Sequence, residues 1–274
     1  GGLGNDTYVV DLTAAGGLQD TVTEAADAGT DTIRLRGTST NLTAATITLG
    51  ANLEILDAHE TGTSLLNLTG NALANTLTGN AAANVLTGAG GGDTMDGREG
   101  ADIYLVASLA DFAGDVIADT GSAGTDELRL AAGAAASFVL PGTLSGIEQV
   151  VIGTGTAANA VTTGTAAVNV DASAVGYGLT IIGNAGANTL TGGQGSDILQ
   201  GNGGNDTYVL KDGNDTIVEA ATGGTDTVSS AVISLDLANY TNIENVLLTG
   251  ALALNATGNA SSNALTGNAG ANVL

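Results

Sequence analysis

Large apolar residues recur every nine residues along much of the chain. When the sequence is divided in nines from Gly70, each copy has glycine at position 1, Asp or Asn at position 6, and a large apolar residue or tyrosine at position 8. Nine matches in one phase are not an accident of composition, and the position-8 residues therefore mark a repeat architecture. These residues are Leu77, Leu86, Met95, Tyr104, Leu190, Leu199, Tyr208, Leu265 and Leu274.

Alternating apolar and polar positions outside the nonapeptides predict short β-strands. The clearest examples are TDTIRL at 30–35, NLEILD at 52–57 and NIENVLL at 242–248. No stretch has the periodicity of a convincing amphipathic helix, and ASLADFAGD at 107–115 comes nearest to one. The predicted fold class is therefore all-β.

A longer period is superimposed on the nonapeptides. The segment GGLGNDTYVV at 1–10 recurs as GREGADIYLV at 97–106 and GNGGNDTYVL at 201–210. Each copy is followed by an element made of Asp, apolar residues and a second acid: DTVTE at 20–24, DVIAD at 115–119 and DTIVE at 215–219. We therefore predict modules at 1–96 and 97–200 and a truncated module at 201–274, joined in one continuous solenoid.

The copies GGLGNDTYV, GGQGSDILQ and GNGGNDTYV resemble the RTX (repeats-in-toxin) nonapeptide G-G-x-G-x-D-x-U-x. The resemblance implies a right-handed parallel β-roll or β-helix solenoid with calcium-binding turns. It implies that residues 1–6 of a repeat form a turn and residues 7–9 a strand, and that two repeats complete one coil. In such a coil the position-8 side chains would point inwards and stack on one another. Several Ca²⁺ ions would lie between turns that are stacked 18 residues apart.

The residue types in the repeat suit that chemistry. Glycine reaches backbone angles that are closed to other residues, so its turns can direct carbonyl oxygens inward. Calcium takes about six to eight oxygen ligands, including carbonyls and carboxylates, and the position-6 Asp supplies a carboxylate from each stacked turn. Without metal these carboxylates repel one another, so we expect folding and calcium binding to be coupled.

Pairing position-6 residues across 18 positions gives the candidate ligands. Asp197 pairs with Asp215, Asn188 with Asp206, Asn84 with Asp102, and Asn75 with Asp93. The predicted ligand set is Asp6, Asp93, Asp102, Asp197, Asp206, Asp215, Asn84 and Asn188. Stretches with Asn alone at position 6 are expected to extend the coil through amide ladders instead of holding calcium. The acids Asp20, Asp31, Asp115, Asp126 and Asp226 are predicted either to bind calcium or to cap coil turns.

Composition narrows the classes of function. Five Lys and Arg against 28 Asp and Glu give a net charge of −23, which argues against nucleic-acid binding because phosphate recognition needs clustered cations. With 43% apolar residues the chain still has enough apolar side chains for a core, so the charge does not indicate disorder. No apolar run of about 18 residues exists, which predicts no membrane insertion. The absence of Cys rules out disulfides and thiol chemistry.

Catalytic signatures are missing from the sequence. His59 is the only histidine, and neither a G-x-S-x-G elbow nor a phosphate-binding loop occurs. We therefore expect no enzymatic activity. A β-helix enzyme acting on polysaccharide remains an alternative, because the 28 acids include many carboxylates that could be paired, although aromatic and basic residues are scarce.

The predicted function is structural. The resemblance implies a segment of a secreted bacterial surface protein, exported by type I secretion, that forms an extracellular fibre, adhesin or S-layer. Gly1 opens a repeat and Leu274 stands at position 8 of another, so we expect end-to-end stacking or continuation in a longer array. The alternative function is a calcium-binding secretion and folding domain of a type I-secreted hydrolase or toxin.

Overall fold

A computed structural model describes residues 1–26 and 29–274. The chain divides into two compact units, one formed by Gly1–Ala131 with Thr143–Ile147 and the other by Ala132–Gly142 with Glu148–Leu274. Each unit is a solenoid of short parallel strands, so the predicted all-β solenoid is confirmed. The division into modules at 1–96, 97–200 and 201–274 stays a prediction, because it describes the sequence period and not the contacts.

Unit 1 has two sets of parallel strands; its first two strands belong to the same set, and after them the chain alternates between the sets. The first set runs in the order β1 (Thr7–Asp11), β2 (Thr32–Arg36), β4 (Ile55–Glu60), β6 (Thr76–Thr78), β8 (Thr94–Asp96) and β10 (Val116–Ile117). The second contains β3 (Ala45–Thr48), β5 (Leu66–Thr69), β7 (Val85–Thr87), β9 (Ile103–Val106) and β11 (Glu127–Leu130). One strand from each set makes one coil.

Unit 2 repeats this arrangement. Its longer sheet has the order β12 (Ala136–Val139), β14 (Val168–Asp171), β16 (Thr189–Thr191), β18 (Thr207–Leu210), β20 (Thr227–Ser230), β22 (Asn245–Leu248) and β24 (Ala264–Thr266). The other set contains β13 (Gln149–Ile152), β15 (Thr180–Ile182), β17 (Ile198–Gln200) and β19 (Thr216–Val218). A small sheet joins β21 (Leu235–Asp236) to β23 (Ala256–Thr257).

Helical structure is minimal in the described part of the chain. Helix α1 (Leu109–Phe112) lies inside the segment that came nearest to a helix by sequence, and its N-cap Ser108 accepts a hydrogen bond from Asp111 N at 3.2 Å. A 3₁₀ turn covers Leu237–Asn239. Within residues 1–26 and 29–274, no helix has the length and apolar character needed to cross a membrane.

The position-8 side chains form the core. Leu77 lies opposite Met95, Leu86 opposite Tyr104, and Leu190 opposite Tyr208. All six are buried, as is Leu199, which confirms the predicted inward stacking for these copies. Leu265 is half-buried because the edge strand β24 has a neighbour on one side only, and Leu274 is 58% exposed, so the stacking prediction fails at that last position.

Candidate metal centres

Glycine at position 4 shapes the turns that precede the position-6 residues. Gly100, Gly195 and Gly204 have φ values of 134°, 104° and 112°, in the region that favours glycine. A methyl group on Gly100 would approach the backbone of Ala82 and Ala83 at 2.7 and 2.9 Å, so the coils also meet too closely for a side chain there. These turns therefore hold each position-6 residue in a fixed position opposite the neighbouring coil.

Hydrogen bonds link the position-6 residues of successive coils into rows, which we call the position-6 ladders. Asn84 N donates to Asp102 Oδ1 at 2.6 Å, and Asn188 N donates to Asp206 Oδ1 at 2.7 Å. Asp197 N donates to Asp215 Oδ1 at 3.1 Å. Asn75 and Asp93 are joined in the same way at 2.8 Å. All four pairs predicted from the spacing of 18 residues are thus in direct contact.

The second carboxylate oxygen of several ladder residues has no protein partner. Among the described residues, five buried carboxylate oxygens lack a hydrogen bond, and all five belong to ladder aspartates: Asp31 Oδ2, Asp93 Oδ2, Asp102 Oδ2, Asp206 Oδ2 and Asp215 Oδ2. In each of these residues Oδ1 accepts an N–H from the preceding coil. A buried oxygen of this kind is costly unless a cation or donor meets it, and oxygen ligands are what Ca²⁺ prefers. The donor set fits calcium.

Burial also changes the acidity of these carboxyl groups. Burial, together with a smaller effect of neighbouring carboxylates, raises the pKa of Asp102 and of Asp206 to about 7. It likewise raises the pKa of Asp115, Asp215 and Asp226 to about 6. The rise shows that the ionised carboxylates are poorly accommodated by the protein alone. A bound cation would reverse that preference.

The asparagine repeats lack such unpaired oxygens. Asn84 Oδ1 accepts from Asn80 N at 2.9 Å, and Asn84 Nδ2 donates to Leu66 O at 2.8 Å. Asn188 makes the equivalent bonds to Asn184 N at 2.9 Å and to Val168 O at 2.7 Å. The protein itself therefore satisfies these amides, which favours the coil-extending role. That Asn84 and Asn188 bind calcium stays a prediction.

Asp6 and Asp197 differ from the other predicted ligands because both of them use Oδ2 within their own turn. Asp6 Oδ2 accepts from Gly2 N at 2.9 Å, and Asp197 Oδ2 accepts from Gly193 N at 2.7 Å. Asp197 Oδ1 also accepts from Leu179 N at 2.7 Å. Asp6 is joined to the next coil through its N–H, which donates to Asp31 Oδ1 at 2.8 Å. Both lie in the ladders, where the sequence placed them.

The ladders also include acids for which the sequence predicted one of two roles, either calcium binding or the capping of coil turns. Asp93 N donates to Asp115 Oδ1 at 2.9 Å, and Asp102 N and Asp206 N donate to Oδ1 of Asp126 and Asp226 at 2.7 and 2.8 Å. Asp20 is exposed. An Asp followed two residues later by an apolar residue, as in GTDTI and GTDEL, is the sequence signal that marks Asp31 and Asp126 as position-6 residues.

Glutamates extend the ladders further, and the sequence analysis did not identify them. Asp31 N donates to Glu54 Oε2 and Asp226 N donates to Glu244 Oε2, both at 2.8 Å. Glu54 and Glu244 come from NLEIL and NIENV, which recur once per module. That recurrence could have revealed them.

The comparisons with known proteins agree with this geometry. The family model of the RTX calcium-binding nonapeptide repeat (4 copies) matches residues 69–104 and 182–217. No curated protein matches the chain at a significant level. The first matched segment lies in unit 1 and the second in unit 2. Each unit of this chain therefore carries RTX nonapeptide repeats, whose ligand is calcium.

Proposed function

We propose that this chain is a calcium-stabilised structural segment of a secreted bacterial surface protein, forming part of an extracellular fibre, adhesin or S-layer. RTX repeats in a β-solenoid indicate a structural or secretion-related calcium-binding segment, and such repeats are typical of secreted bacterial proteins. The observation that carries the proposal is the row of buried ladder aspartates with an unpaired Oδ2. Because these aspartates also join neighbouring coils, the stability of the fold itself would depend on calcium.

Electrostatics support folding outside the cell. The chain carries a net charge of −23, and the ladders stack part of that charge in the protein interior. Extracellular calcium-binding modules have dissociation constants of about 10⁻⁴–10⁻³ M, which match extracellular calcium and exceed the level inside a cell. The chain would thus stay unfolded before export and fold after it.

Self-association is a further part of the proposal. Strand β1 in unit 1 and strand β24 in unit 2 each pair on one side only, so each presents unpaired backbone groups to a further coil. A strand of another copy could pair with either edge. End-to-end association would then give a fibre or a layer.

Circular dichroism and electron microscopy with and without calcium test both parts. We expect β-structure and assemblies in calcium and a largely unfolded chain after EGTA treatment. If β-structure persists without calcium, the proposal is wrong. If calcium folds the chain and no assembly forms at high protein concentration, the alternative of a secretion and folding domain is favoured instead.

A further inference from the structure

In the part of the chain that the structure describes, three clusters of acids recur once per module and contain a third carboxylate that the nonapeptide does not supply. They are Asp6, Glu24 and Asp31; Asp102, Asp119 and Asp126; and Asp206, Glu219 and Asp226. In each cluster three carboxylate oxygens lie within 4.8 Å of one another. Two acids are position-6 neighbours in a ladder. The third ends the Asp-apolar-acid element: DTVTE, DVIAD or DTIVE.

A tyrosine holds each third acid in place. Tyr104 Oη accepts from Gly97 N at 2.6 Å and donates to Asp119 Oδ2 at 2.5 Å. Tyr208 Oη accepts from Gly201 N at 2.8 Å and donates to Glu219 Oε2. Tyr8 donates to Glu24 Oε2 in the same manner. Tyrosine occupies position 8 in these three copies, whereas most other copies have leucine there.

A backbone N–H fixes the other oxygen of each third acid. Gly121 N donates to Asp119 Oδ1 at 2.6 Å, and Ala220 N donates to Glu219 Oε1 at 2.7 Å. Ala25 N donates to Glu24 Oε1 at 2.8 Å. Two donors on one carboxylate fix the orientation of that carboxylate. The third acid is therefore held in position before any ligand arrives.

Each cluster also contains a buried carboxylate oxygen without a hydrogen-bond partner. These atoms are Asp31 Oδ2, Asp102 Oδ2 and Asp206 Oδ2, on residues that are 1%, 0% and 1% exposed. A methyl group built on Gly201 would clash with both Asp206 Oδ2 and Tyr208 Oη, so the unpaired oxygen lies beside the tyrosine that holds Glu219. In this cluster the unpaired oxygen therefore lies close to the side chains that hold the third acid.

We propose that each cluster is a three-carboxylate calcium site, distinct from the two-carboxylate sites between ordinary repeats, and that these three sites fill first. Three preorganised carboxylates attract a divalent cation more strongly than two, because calcium affinity rises with ligand charge and site rigidity. The tyrosine acts as a positioning residue that holds the third acid. This inference rests on the calcium-dependent folding proposed above.

The experiment is a calcium titration of the full chain, followed by native mass spectrometry to count bound ions and by chelator competition to measure affinity. In the wild-type chain we expect a tightest class of three ions. Asp119→Asn and Glu219→Gln should each reduce that class to two ions and together should reduce it to one. Tyr104→Phe should keep three ions but weaken one of them by about 10–100-fold, as is usual when a partner that orients a metal ligand is lost.

Control variants change acids outside the clusters. Asp171→Asn and Glu60→Gln remove the same charges at the ends of β14 and β4, and they should leave all three tight ions in place. Circular dichroism in saturating calcium confirms that every variant is folded. If Asp119→Asn does not fold in unit 1, then Glu219→Gln tests the same relationship in unit 2.

Two results would overturn the inference. One is a wild-type chain that folds with calcium but has no tight class of three ions. The other is a pair of cluster variants that still bind three tight ions. Both results leave calcium-dependent folding intact, so they are distinguishable from failure of the proposed function, in which the wild-type chain gains no structure with calcium.

Discussion

The backbone N–H of Asp102 donates to Oδ1 of Asp126 at 2.7 Å, while Oδ1 of Asp102 accepts from Asn84 N at 2.6 Å. Each carboxylate in such a row uses one oxygen to hold the adjacent coil. In Asp102 the other oxygen remains without a protein partner. Coil stacking and cation binding therefore depend on the same side chain, which is why we expect folding to follow calcium.

Replacing a ladder aspartate by asparagine should have opposite effects with and without calcium. In Asp102→Asn or Asp206→Asn the amide oxygen can still accept the N–H of the preceding coil, but the buried charge is lost. We expect the metal-free chain to become more stable, and the calcium concentration at the folding midpoint to rise about tenfold, because the site loses ligand charge. Calcium titrations followed by circular dichroism measure both effects.

The matched control is Asp171→Asn, which removes a carboxylate that accepts from Ser173 N at 2.9 Å outside the ladders. Its calcium midpoint should equal that of the wild-type chain. If all three variants have the same midpoint, the ladder aspartates are not calcium ligands.

The stability of the metal-free chain should depend on pH. Folding raises the pKa of Asp102 and Asp206 to about 7, whereas an exposed aspartate has a pKa of about 3.9. A pKa that is raised in the folded state stabilises the fold below the unfolded-state pKa, and this stabilisation is lost as the pH rises through the folded-state pKa. The free energy of unfolding should therefore fall between about pH 4 and pH 7 and then level off.

Circular dichroism of exhaustively dialysed protein between pH 3 and pH 8 measures this dependence as the fraction of chains that are folded. In Asp102→Asn with Asp206→Asn the slope should decrease, because the two strongest contributors are gone. Saturating calcium should reverse the trend, since the cation binds the ionised carboxylates. A metal-free wild-type chain whose stability rises from pH 4 to pH 7 would contradict the prediction.

The sequence predicted the parts of the fold that repeat at a constant interval. A period of nine residues placed Leu86 against Tyr104 and Asn84 against Asp102, because two equal repeats return the chain to the same side of the coil. Coils with inserted residues could not be aligned in this way. Ladder neighbours are separated by 25 residues from Asp6 to Asp31 and by 20 from Asp206 to Asp226, because turns of variable length lie between them.

The third acids of the clusters were harder to predict for a different reason. Glu24, Asp119 and Glu219 are recognisable in sequence as the ends of recurring elements. Their proximity to the ladders depends on a side-chain contact with the tyrosine at position 8, and only the structure shows this contact. Periodicity accounts for the same tyrosines simply as bulky core residues.

Changing an asparagine repeat to an aspartate repeat should make one coil calcium-dependent. In Asn84→Asp the new oxygen replaces Nδ2, which donates to Leu66 O, so a carbonyl and a carboxylate oxygen would face each other. We expect a loss of about 1–3 kcal/mol in the free energy of unfolding without calcium, the usual effect of an unsatisfied buried polar group. Calcium should restore the stability, since a cation could be bound between the introduced carboxylate and the carbonyl oxygen of Leu66.

Chemical unfolding at low and at saturating calcium concentrations compares this variant with Asn67→Asp. Asn67 lies between buried Leu66 and Leu68 on β5 and is itself half-buried, so the control adds the same charge outside the coil. The control should show a small effect that calcium does not reverse. Equal calcium responses in the two variants would show that Asn84→Asp does not create a calcium site.

The glycine at position 4 should be essential for the tight turns. A position-3 glycine with free space around it should be replaceable. Gly100 has a φ of 134°, and a methyl group there would lie 2.7 Å from the carbonyl carbon of Ala82 in the neighbouring coil. We expect Gly100→Ala to lower the free energy of unfolding by about 1–3 kcal/mol from backbone strain, with a further loss from the clash between coils. The control Gly90→Ala, at a position-3 glycine with no atom within 4 Å of the added methyl group, should change stability by less than about 0.5 kcal/mol. Thermal unfolding in saturating calcium measures both variants, and equal melting temperatures would contradict the requirement for close contact between coils.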